Sequence, residues 1–303
     1  MTLIKRVFLF LAMNMAVLIV ANIVLAIVQS VFWINVTAYG YNYTSIFIFA
    51  LVFGFTGSFI SLFLSKWMAK RSYGIQLFDQ NNLSSLNDKE KLVYDVVREL
   101  SNKHGISIPE VWVFQAPDAN AFATWATKNS SLVAVSTGLL EKMNRDEIEG
   151  VIAHEMAHIL NGDMVTMSLL QWVLNTFVIF FARIIANLAD AALKKEGDGP
   201  SWIYYVVSIV MEIVLWLLAS IIAMWFSRYR EYRADEGSAR FVGKEKMIAA
   251  LKSLQRMYES TPSDTESGKM AAFQISTKNK GGIMQLFSSH PALSQRIQNL
   301  EKI

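Results

Sequence analysis

The chain has 303 residues, enough for one large domain or two small ones, and its modest net charge of +3 comes without a lysine and arginine block that would indicate nucleic-acid binding. Hydrophobic residues make up 53% and charged residues 17% of the chain, and this composition excludes an ordinary soluble globular protein. Cysteine is absent, which excludes disulfides and thiolate zinc sites, so a zinc ion would have to be held by His, Asp or Glu.

Two uncharged hydrophobic segments in the N-terminal part are long enough to span a bilayer, which takes about 20 apolar residues. The first, Val7–Val28, is longer than the roughly 7–15 apolar residues of a signal peptide, so we interpret it as a retained membrane anchor. The second is Ser45–Leu64, which is followed by several basic residues. Both segments are predicted to be transmembrane helices.

Two further hydrophobic segments, Met164–Ala182 and Ile203–Phe226, are less regular. The first runs into Arg183, and the second contains Glu212 near its middle. Either they span the bilayer or they form a hydrophobic hairpin that packs partly on protein, and we favour spanning. An acidic residue inside a membrane can serve in a proton relay, but we favour the simpler interpretation that Glu212 faces Arg183 or water.

The basic residues predict the orientation of the chain in the membrane. The loop Val31–Thr44 between the first two segments contains no Lys or Arg, whereas the regions that begin at Lys66 and at Arg228 contain many. By the positive-inside rule, both termini and the region between the second and third segments are predicted to be cytoplasmic.

Residues 109–140 are predicted to form a small sheet. Val111–Phe114 is a short apolar strand, and Asn120–Trp125 and Leu132–Ser136 flank a turn at Lys128–Ser130, which is typical of a hairpin. A strand directly before a metal-binding helix can bind an extended peptide through its backbone. The alternative is an ordinary small sheet that packs on that helix, and the spacing favours neither.

The next segment carries His154-Glu155-Met156-Ala157-His158 within an apolar run, and His-Glu-x-x-His on a helix is the pattern of zinc metalloproteases. Asn144 and Glu147 predict a capping box at the start of that helix. Residues four apart on a helix differ by about 40° around the axis and about 6 Å along it, so both imidazoles can reach one ion. Glu155 is placed to reach a metal-bound water. So short a pattern also occurs by chance, but this one contains two of the four histidines in the chain.

A catalytic zinc site takes three protein ligands and leaves one position for water. Since only His104 and His290 remain among the histidines, a carboxylate is expected as the third ligand. Glu231 and Asp235 lie four residues apart on a predicted helix, so one can bind the metal while the other accepts a hydrogen bond from a ligand imidazole. The longer side chain of Glu231 favours it as the ligand. The alternative is a surface cluster of charges beside three arginines at the membrane boundary.

Five motifs in the chain resemble the HtpX family of membrane metalloproteases. They are the His-Glu-x-x-His segment with Asn161-Gly162-Asp163, the pair Glu231 and Asp235, the segment Ser289-His290-Pro291 with Arg296, and the segments Asn120–Thr124 and Val135–Leu140. The resemblance extends over essentially the whole chain, which is similar, more distantly, to the integral-membrane CAAX prenyl proteases. Trp125 departs from the pattern, in which a glycine is expected at this position.

The resemblance implies a zinc-dependent endopeptidase of the bacterial inner membrane, with one zinc ion per subunit. It implies cleavage of misfolded or damaged membrane proteins on the cytoplasmic side, in membrane protein quality control and the stress response. The implied partners are membrane and cytoplasmic-side protein substrates, the lipid bilayer and other membrane quality-control proteases, with no nucleic acid among them.

The resemblance also implies roles for individual residues. Glu155 would be the general base, Asp235 would orient a ligand histidine, and His290 and Arg296 would lie near the site, where His290 would stabilise the oxyanion. Three residues would bind the zinc ion: His154, His158 and Glu231. One strand would bind the substrate backbone through Leu132, Val133, Ala134, Val135 and Ser136.

The predicted fold is a mainly α integral membrane protein with four hydrophobic helices and a cytoplasmic, gluzincin-like α+β zinc protease domain that contains a small β-sheet. The predicted division is a membrane anchor at 1–71, the two parts of the protease domain at 72–163 and 227–303, and a hydrophobic helical hairpin at 164–226. Two other functions fit less well. A zinc-binding scaffold would not need Glu155, and a transporter would need more polar residues in its membrane segments.

Overall fold

The computed structural model describes residues 30, 43–73, 76–77, 86–124, 127–193, 199–259 and 288–303. These residues are mainly helical and include one small mixed sheet, as the sequence predicts. The predicted membrane anchor Val7–Val28 and the residue Trp125 lie outside the described residues. The chain divides into two compact units, one made of Met1–Ser61 and Met167–Ala223 and the other of Leu62–Thr166 and Met224–Ile303.

Eight helices and four strands are defined within the described residues. In chain order they are α1 (Tyr43–Tyr73), β1 (Gln76–Leu77), α2 (Asp88–His104), β2 (Glu110–Phe114), β3 (Ala121–Thr124), β4 (Leu132–Ser136), α3 (Thr137–Lys142), α4 (Arg145–Asn161), α5 (Asp163–Leu193), α6 (Trp202–Val242), α7 (Lys244–Glu259) and α8 (Leu293–Glu301).

Three of these helices are long and apolar enough to span a membrane, namely α1 at Ser45–Ser65, α5 and α6. They confirm that the second, third and fourth predicted hydrophobic segments are helical. Both α5 and α6 continue well beyond the predicted segments, because neither contains a proline and the first glycine in α6 is Gly237. The third and fourth segments are therefore parts of longer helices, and α6 carries the two predicted carboxylates as well.

In the first unit, α1 and α5 approach each other closely at Gly54. A Cβ atom at this position would lie 2.6 Å from the hydroxyl oxygen of Thr176, so any larger residue would push the two helices apart. The guanidinium of Arg183 lies 3.6 Å from the carboxylate of Glu212. This contact supports the interpretation that Glu212 has a partner within the bundle rather than a role in a proton relay.

In the second unit, the sheet has the strand order β1-β2-β4-β3. β3 and β4 are antiparallel and pair Ala121 with Val135, with a short 3-10 turn at Lys128–Ser130 between them, so the predicted hairpin is confirmed. β2 and β4 are parallel, and β1 is antiparallel to β2.

The position of β4 corrects one prediction. β4 pairs with β2 on one side and with β3 on the other, and all five of its residues, Leu132–Ser136, are buried. Its backbone N–H and C=O groups are thus used within the sheet, whereas a strand that binds a peptide needs a free edge. The predicted assignment of Leu132–Ser136 as the substrate strand is therefore wrong in this structure.

One hydrophobic core joins the sheet of the second unit to α2, α4, α7 and α8. Four apolar residues of α4 are buried there, Ile148, Val151, Ile152 and Ile159, whereas Leu160 is only partly buried. The two histidines of the metalloprotease pattern thus lie on a helix that is held along its length by packed neighbours.

Candidate metal centre

The helix that carries the histidines is fixed at both ends. At its start the side chain of Asn144 accepts the N–H of Glu147, and the carboxylate of Glu147 accepts the N–H of Asn144, at 3.0 and 2.9 Å. These two bonds are the predicted capping box. At its end Gly162 has φ +71°, a left-handed conformation that glycine adopts without strain.

A close contact between α4 and α6 places the carboxylates beside the histidines. A Cβ atom on Gly237 would lie only 2.7 Å from the Cβ atom of Ala157, so the two helices approach as closely as side chains allow. The hydroxyl of the next residue, Ser238, donates a hydrogen bond of 2.9 Å to the carbonyl of Gly150, about two turns before Ala157 on α4. Glu231 lies less than two helical turns before Gly237, on the same helix as Asp235.

His154, His158 and Glu231 converge on one point. The Nε2 atom of His154 lies 3.6 Å from Oε2 of Glu231, and the Nε2 atom of His158 lies 3.4 Å from Oε1 of the same carboxylate. Ligand atoms from the three residues all lie within 4.8 Å of one another. This is the grouping that the sequence predicts for a metal ion.

The donor set and the charge of the cluster fit a divalent metal. Tetrahedral zinc with bonds of ~2.0–2.2 Å holds its ligand atoms about 3.4 Å apart, which matches both nitrogen-to-oxygen distances. Four carboxylates in or beside the cluster are at most 6% exposed: Glu155, Asp163, Glu231 and Asp235. Among the described residues, Arg296 is the one arginine that is equally buried. A dication would offset part of this excess negative charge.

Asp235 contacts the first histidine. Its Oδ1 atom is 3.0 Å from Nδ1 of His154, on the side of the ring that faces away from Glu231. Arg296 of α8 donates two hydrogen bonds to the same carboxylate, from Nη2 to Oδ1 at 2.6 Å and from Nε to Oδ2 at 2.8 Å. The guanidinium of Arg296 is fully buried and has no solvent-exposed face.

His290 contacts the cluster through a carboxylate that is already in it. Its Nδ1 atom lies 2.9 Å from Oε2 of Glu231, and its side chain is 21% exposed. The backbone around it is held by Arg228, which donates to the carbonyl of Ser288 at 2.8 Å. His290 thus lies beside the metal-binding cluster, and its Nδ1 atom contacts Glu231.

Sequence reasoning missed the partner of the second histidine. The Nδ1 atom of His158 lies 2.6 Å from Oδ2 of Asp163, and Asp163 is 2% exposed. The sequence places Asp163 directly after Gly162, five residues beyond His158. The signal in the sequence is an acidic residue, Asp163, directly after the glycine that ends α4. Its spacing from His158 does not by itself show that the chain turns back towards the histidine ring.

The surroundings of both histidines favour positive charge at the cluster. Burial lowers the pKa of His158, but hydrogen bonds to Asp163 and Glu231 and the charge of Glu155 outweigh burial and raise this pKa to about 10. Burial also lowers the pKa of His154, which hydrogen bonds to Asp235 and Glu231 nevertheless raise above its usual value. Because a metal ion binds neutral imidazole, it competes with a proton for the ring of His158.

Comparison with known proteins gives the class of this chain. A sequence model of peptidase family M48 matches residues 87–303. The crystal structure of Ste24p from S. mikatae shares the fold, with a TM-score of 0.64 at 16% identity, and the match covers 98% of this chain and 64% of that chain. With the metal-binding cluster and the three candidate membrane helices, these matches define a membrane metalloprotease.

Relatives of similar length give the family more closely. Protease HtpX from Pasteurella multocida is 50% identical over 298 residues, which cover 98% of each chain. Protease HtpX from Thioalkalivibrio sulfidiphilus is 47% identical over 297 residues, with the same coverage. The chain belongs to the HtpX proteases of peptidase family M48.

Proposed function

We propose that this metalloprotease is a zinc-dependent endopeptidase of the bacterial inner membrane that cleaves misfolded or damaged membrane proteins on the cytoplasmic side. The observation that carries the proposal is the convergence of His154, His158 and Glu231, with Glu155 next to the first of them. Two neutral imidazoles and one carboxylate are a donor set that zinc takes in catalytic sites, where a fourth position stays open.

Glu155 is the proposed general base. When bound, a zinc ion supplies Lewis acidity, which lowers the pKa of a water towards ~7 and polarises the scissile carbonyl. Glu155 accepts the proton of the attacking water and then donates it to the leaving amine. Its carboxylate is buried and close enough to His158 to raise the pKa of that ring, which is consistent with a position beside the ligands.

His290 is the proposed donor to the oxyanion. Because its Nδ1 atom faces Glu231, its Nε2 atom is the ring nitrogen left to donate to the substrate. A well-placed donor of this kind is worth ~3–4 kcal/mol in the transition state. Arg296 keeps a supporting role, since its guanidinium contacts Asp235, Glu231 and the Nδ1 atom of His154.

We assign the binding of the substrate backbone to β3 in place of β4. β3 is the last strand on its side of the sheet, pairs with β4 alone among the described strands, and lies against α4. An extended peptide can add to its outer edge by backbone hydrogen bonds, next to the helix that carries the histidines. The proposed substrate strand is therefore Ala121–Thr124.

The cytoplasmic side is proposed from the distribution of charge. The last turn of α1 carries Lys70 and Arg71, and α6 carries Arg228 after its apolar part, whereas the loop Val31–Thr44 has no basic residue. The positive-inside rule then puts the metal cluster and both termini in the cytoplasm. A protease site in the cytoplasm can reach the cytoplasmic parts of membrane proteins.

The test uses the purified full-length protein and an unfolded membrane protein as substrate. A chelator is expected to stop cleavage and added Zn²⁺ to restore it, while mass spectrometry places the new ends inside the substrate sequence. Cleavage that persists after the metal has been removed would contradict the metal centre. Products that lose only terminal residues would contradict an endopeptidase.

A further inference from the structure

Each histidine of the cluster meets a carboxylate of its own. Asp235 contacts Nδ1 of His154 at 3.0 Å, and Asp163 contacts Nδ1 of His158 at 2.6 Å. We infer that Asp163 is a positioning residue, whose carboxylate holds the ring of His158 with its Nε2 atom directed at the metal. This inference rests on the proposed zinc site and assigns a role to a residue that the sequence pattern leaves without one.

The geometry of His158 matches this role. When Nδ1 donates its proton to Asp163, the neutral ring keeps the lone pair on Nε2, which is the atom 3.4 Å from Oε1 of Glu231. A carboxylate acceptor on the far nitrogen fixes both the tautomer and the rotation of the ring, and it makes the ligand more basic. Without Asp163, the ring could turn or carry its proton on the nitrogen that has to bind the metal.

Two features of the backbone hold Asp163 in place, namely the turn at Gly162 and a contact with Arg230. Gly162, with φ +71°, turns the backbone between α4 and α5 so that the first residue of α5 faces back to the ring of His158. Arg230 of α6 reaches the carbonyl of Asp163 with Nη1 at 3.4 Å, and its Nη2 donates to the hydroxyl of Ser227 at 3.2 Å. The carboxylate is thus fixed by contacts of its own backbone and is nearly inaccessible to water.

A structural role is the rival explanation. An aspartate in the first turn of a helix also stabilises the helix through its dipole, with or without a metal. The two roles differ in what they affect, since a helix-stabilising residue changes folding, whereas a positioning residue changes the affinity of the folded protein for zinc. Zinc affinity, measured separately from stability, distinguishes them.

The experiment compares Asp163→Asn with Asp146→Asn in the full-length protein. Asp146 lies in the first turn of α4, where its exposed carboxylate pairs with Lys246 at 3.3 Å, so its variant makes the same chemical change away from the cluster. Zinc affinity is measured by competition with a chromogenic chelator. Asp163→Asn is expected to bind zinc ~10–100-fold more weakly, the usual range for a lost outer-shell partner, and Asp146→Asn as the wild type does.

Kinetics and stability complete the comparison. At limiting zinc, Asp163→Asn is expected to lose kcat with an unchanged KM, and excess zinc is expected to restore most of the loss. Zinc affinity equal to that of the wild type would overturn the inference, and lower thermal stability with unchanged affinity would assign Asp163 to folding alone. A wild-type protein that binds no zinc would instead overturn the proposed function.

A second pair of variants tests the same point with the carboxylate intact. Gly162→Ala strains the left-handed turn that delivers Asp163, whereas Gly162→Asn is better tolerated there. The alanine variant is expected to bind zinc several-fold more weakly than the asparagine variant. Equal zinc affinities for the two would contradict the inference even if Asp163→Asn did not fold.

Discussion

Two carboxylates on α6 lie one helical turn apart but face different atoms. Glu231 reaches the Nε2 atoms of both histidines, whereas Asp235 reaches the Nδ1 atom of His154 on the far side of the ring. Arg296 binds Asp235 through two hydrogen bonds and lies farther, at 3.5 Å, from Glu231. The geometry therefore supports the sequence-based choice of Glu231 as the metal ligand and of Asp235 as the partner of the His154 ring.

These positions predict different losses for the two alanine variants. Glu231→Ala is expected to lose most of its zinc at ordinary free-metal levels, because it removes a ligand. Asp235→Ala is expected to weaken zinc binding by only ~10–100-fold, so that added zinc restores its activity. Zinc titration of both purified variants is the measurement. A metal-replete Glu231→Ala beside a metal-free Asp235→Ala would reverse the assignment.

At the scale of residues, the sequence predicts a metal ligand when that residue lies within a turn or two of another ligand on the same helix. Helical periodicity predicts that His154 and His158 can reach one ion, and the absence of cysteine predicts a carboxylate as the third ligand. The choice of Glu231 relies on the length of its side chain and on the resemblance. Asp163 could not be assigned in this way, because its contact depends on the turn at Gly162. The position of Arg296 came only from resemblance to a family, since a buried arginine from a terminal helix has no local pattern.

At the scale of elements, the approach of α6 to α4 decides whether the cluster forms. Gly237 has no space for a Cβ atom beside Ala157, and the carboxylates lie within two turns of this contact. The sequence shows the glycine but not its neighbour, which becomes adjacent only when the two helices pack.

Gly237→Ala is therefore expected to push α6 away from α4. Overpacking of this kind costs ~1–3 kcal/mol in the free energy of unfolding, and it should also weaken zinc binding because Glu231 moves with the helix. Thermal unfolding and zinc competition measure the two effects. The double variant Gly237→Ala with Ala157→Gly restores the space, so both properties should recover. A double variant as impaired as the single one would show that this contact does not position the carboxylates.

In the sheet, the sequence predicts the individual strands but not all of their pairings. Alternating and apolar runs predict β2, β3 and β4 and the hairpin between the last two. They do not predict that β2 pairs in parallel with β4, because this pairing joins segments on either side of β3. The resemblance points to β4 as the substrate strand, but it does not show that β4 lies inside the sheet, between β2 and β3.

At the scale of the whole molecule, composition predicts a membrane protein and the described residues contain three helices suited to span a bilayer. Length and apolar content determine this feature, so the sequence alone was sufficient. The first predicted segment, Val7–Val28, lies outside the described residues. The orientation in the membrane depends on charge bias and is still a prediction.

The absence of native cysteine permits a direct test of that orientation. Single cysteines replace Lys128, Ile303 or Ala38, and intact cells are treated with an impermeant thiol reagent. Cysteines at the first two positions are expected to resist labelling and one at Ala38 to react, because charge bias puts only the last outside. Labelling at Ile303 with protection at Lys128 would mean that only one of α5 and α6 crosses the membrane.

The most direct test of a hydrolytic zinc centre separates the base from the ligands. Glu155→Gln is nearly isosteric and leaves His154, His158 and Glu231 in place, so the variant should keep near-stoichiometric zinc while proteolysis is abolished. Zinc content and cleavage of an unfolded membrane protein are measured on the same preparation, with the wild type as reference. Loss of zinc together with activity would make Glu155 a ligand, and cleavage at the wild-type rate would remove its role as the base.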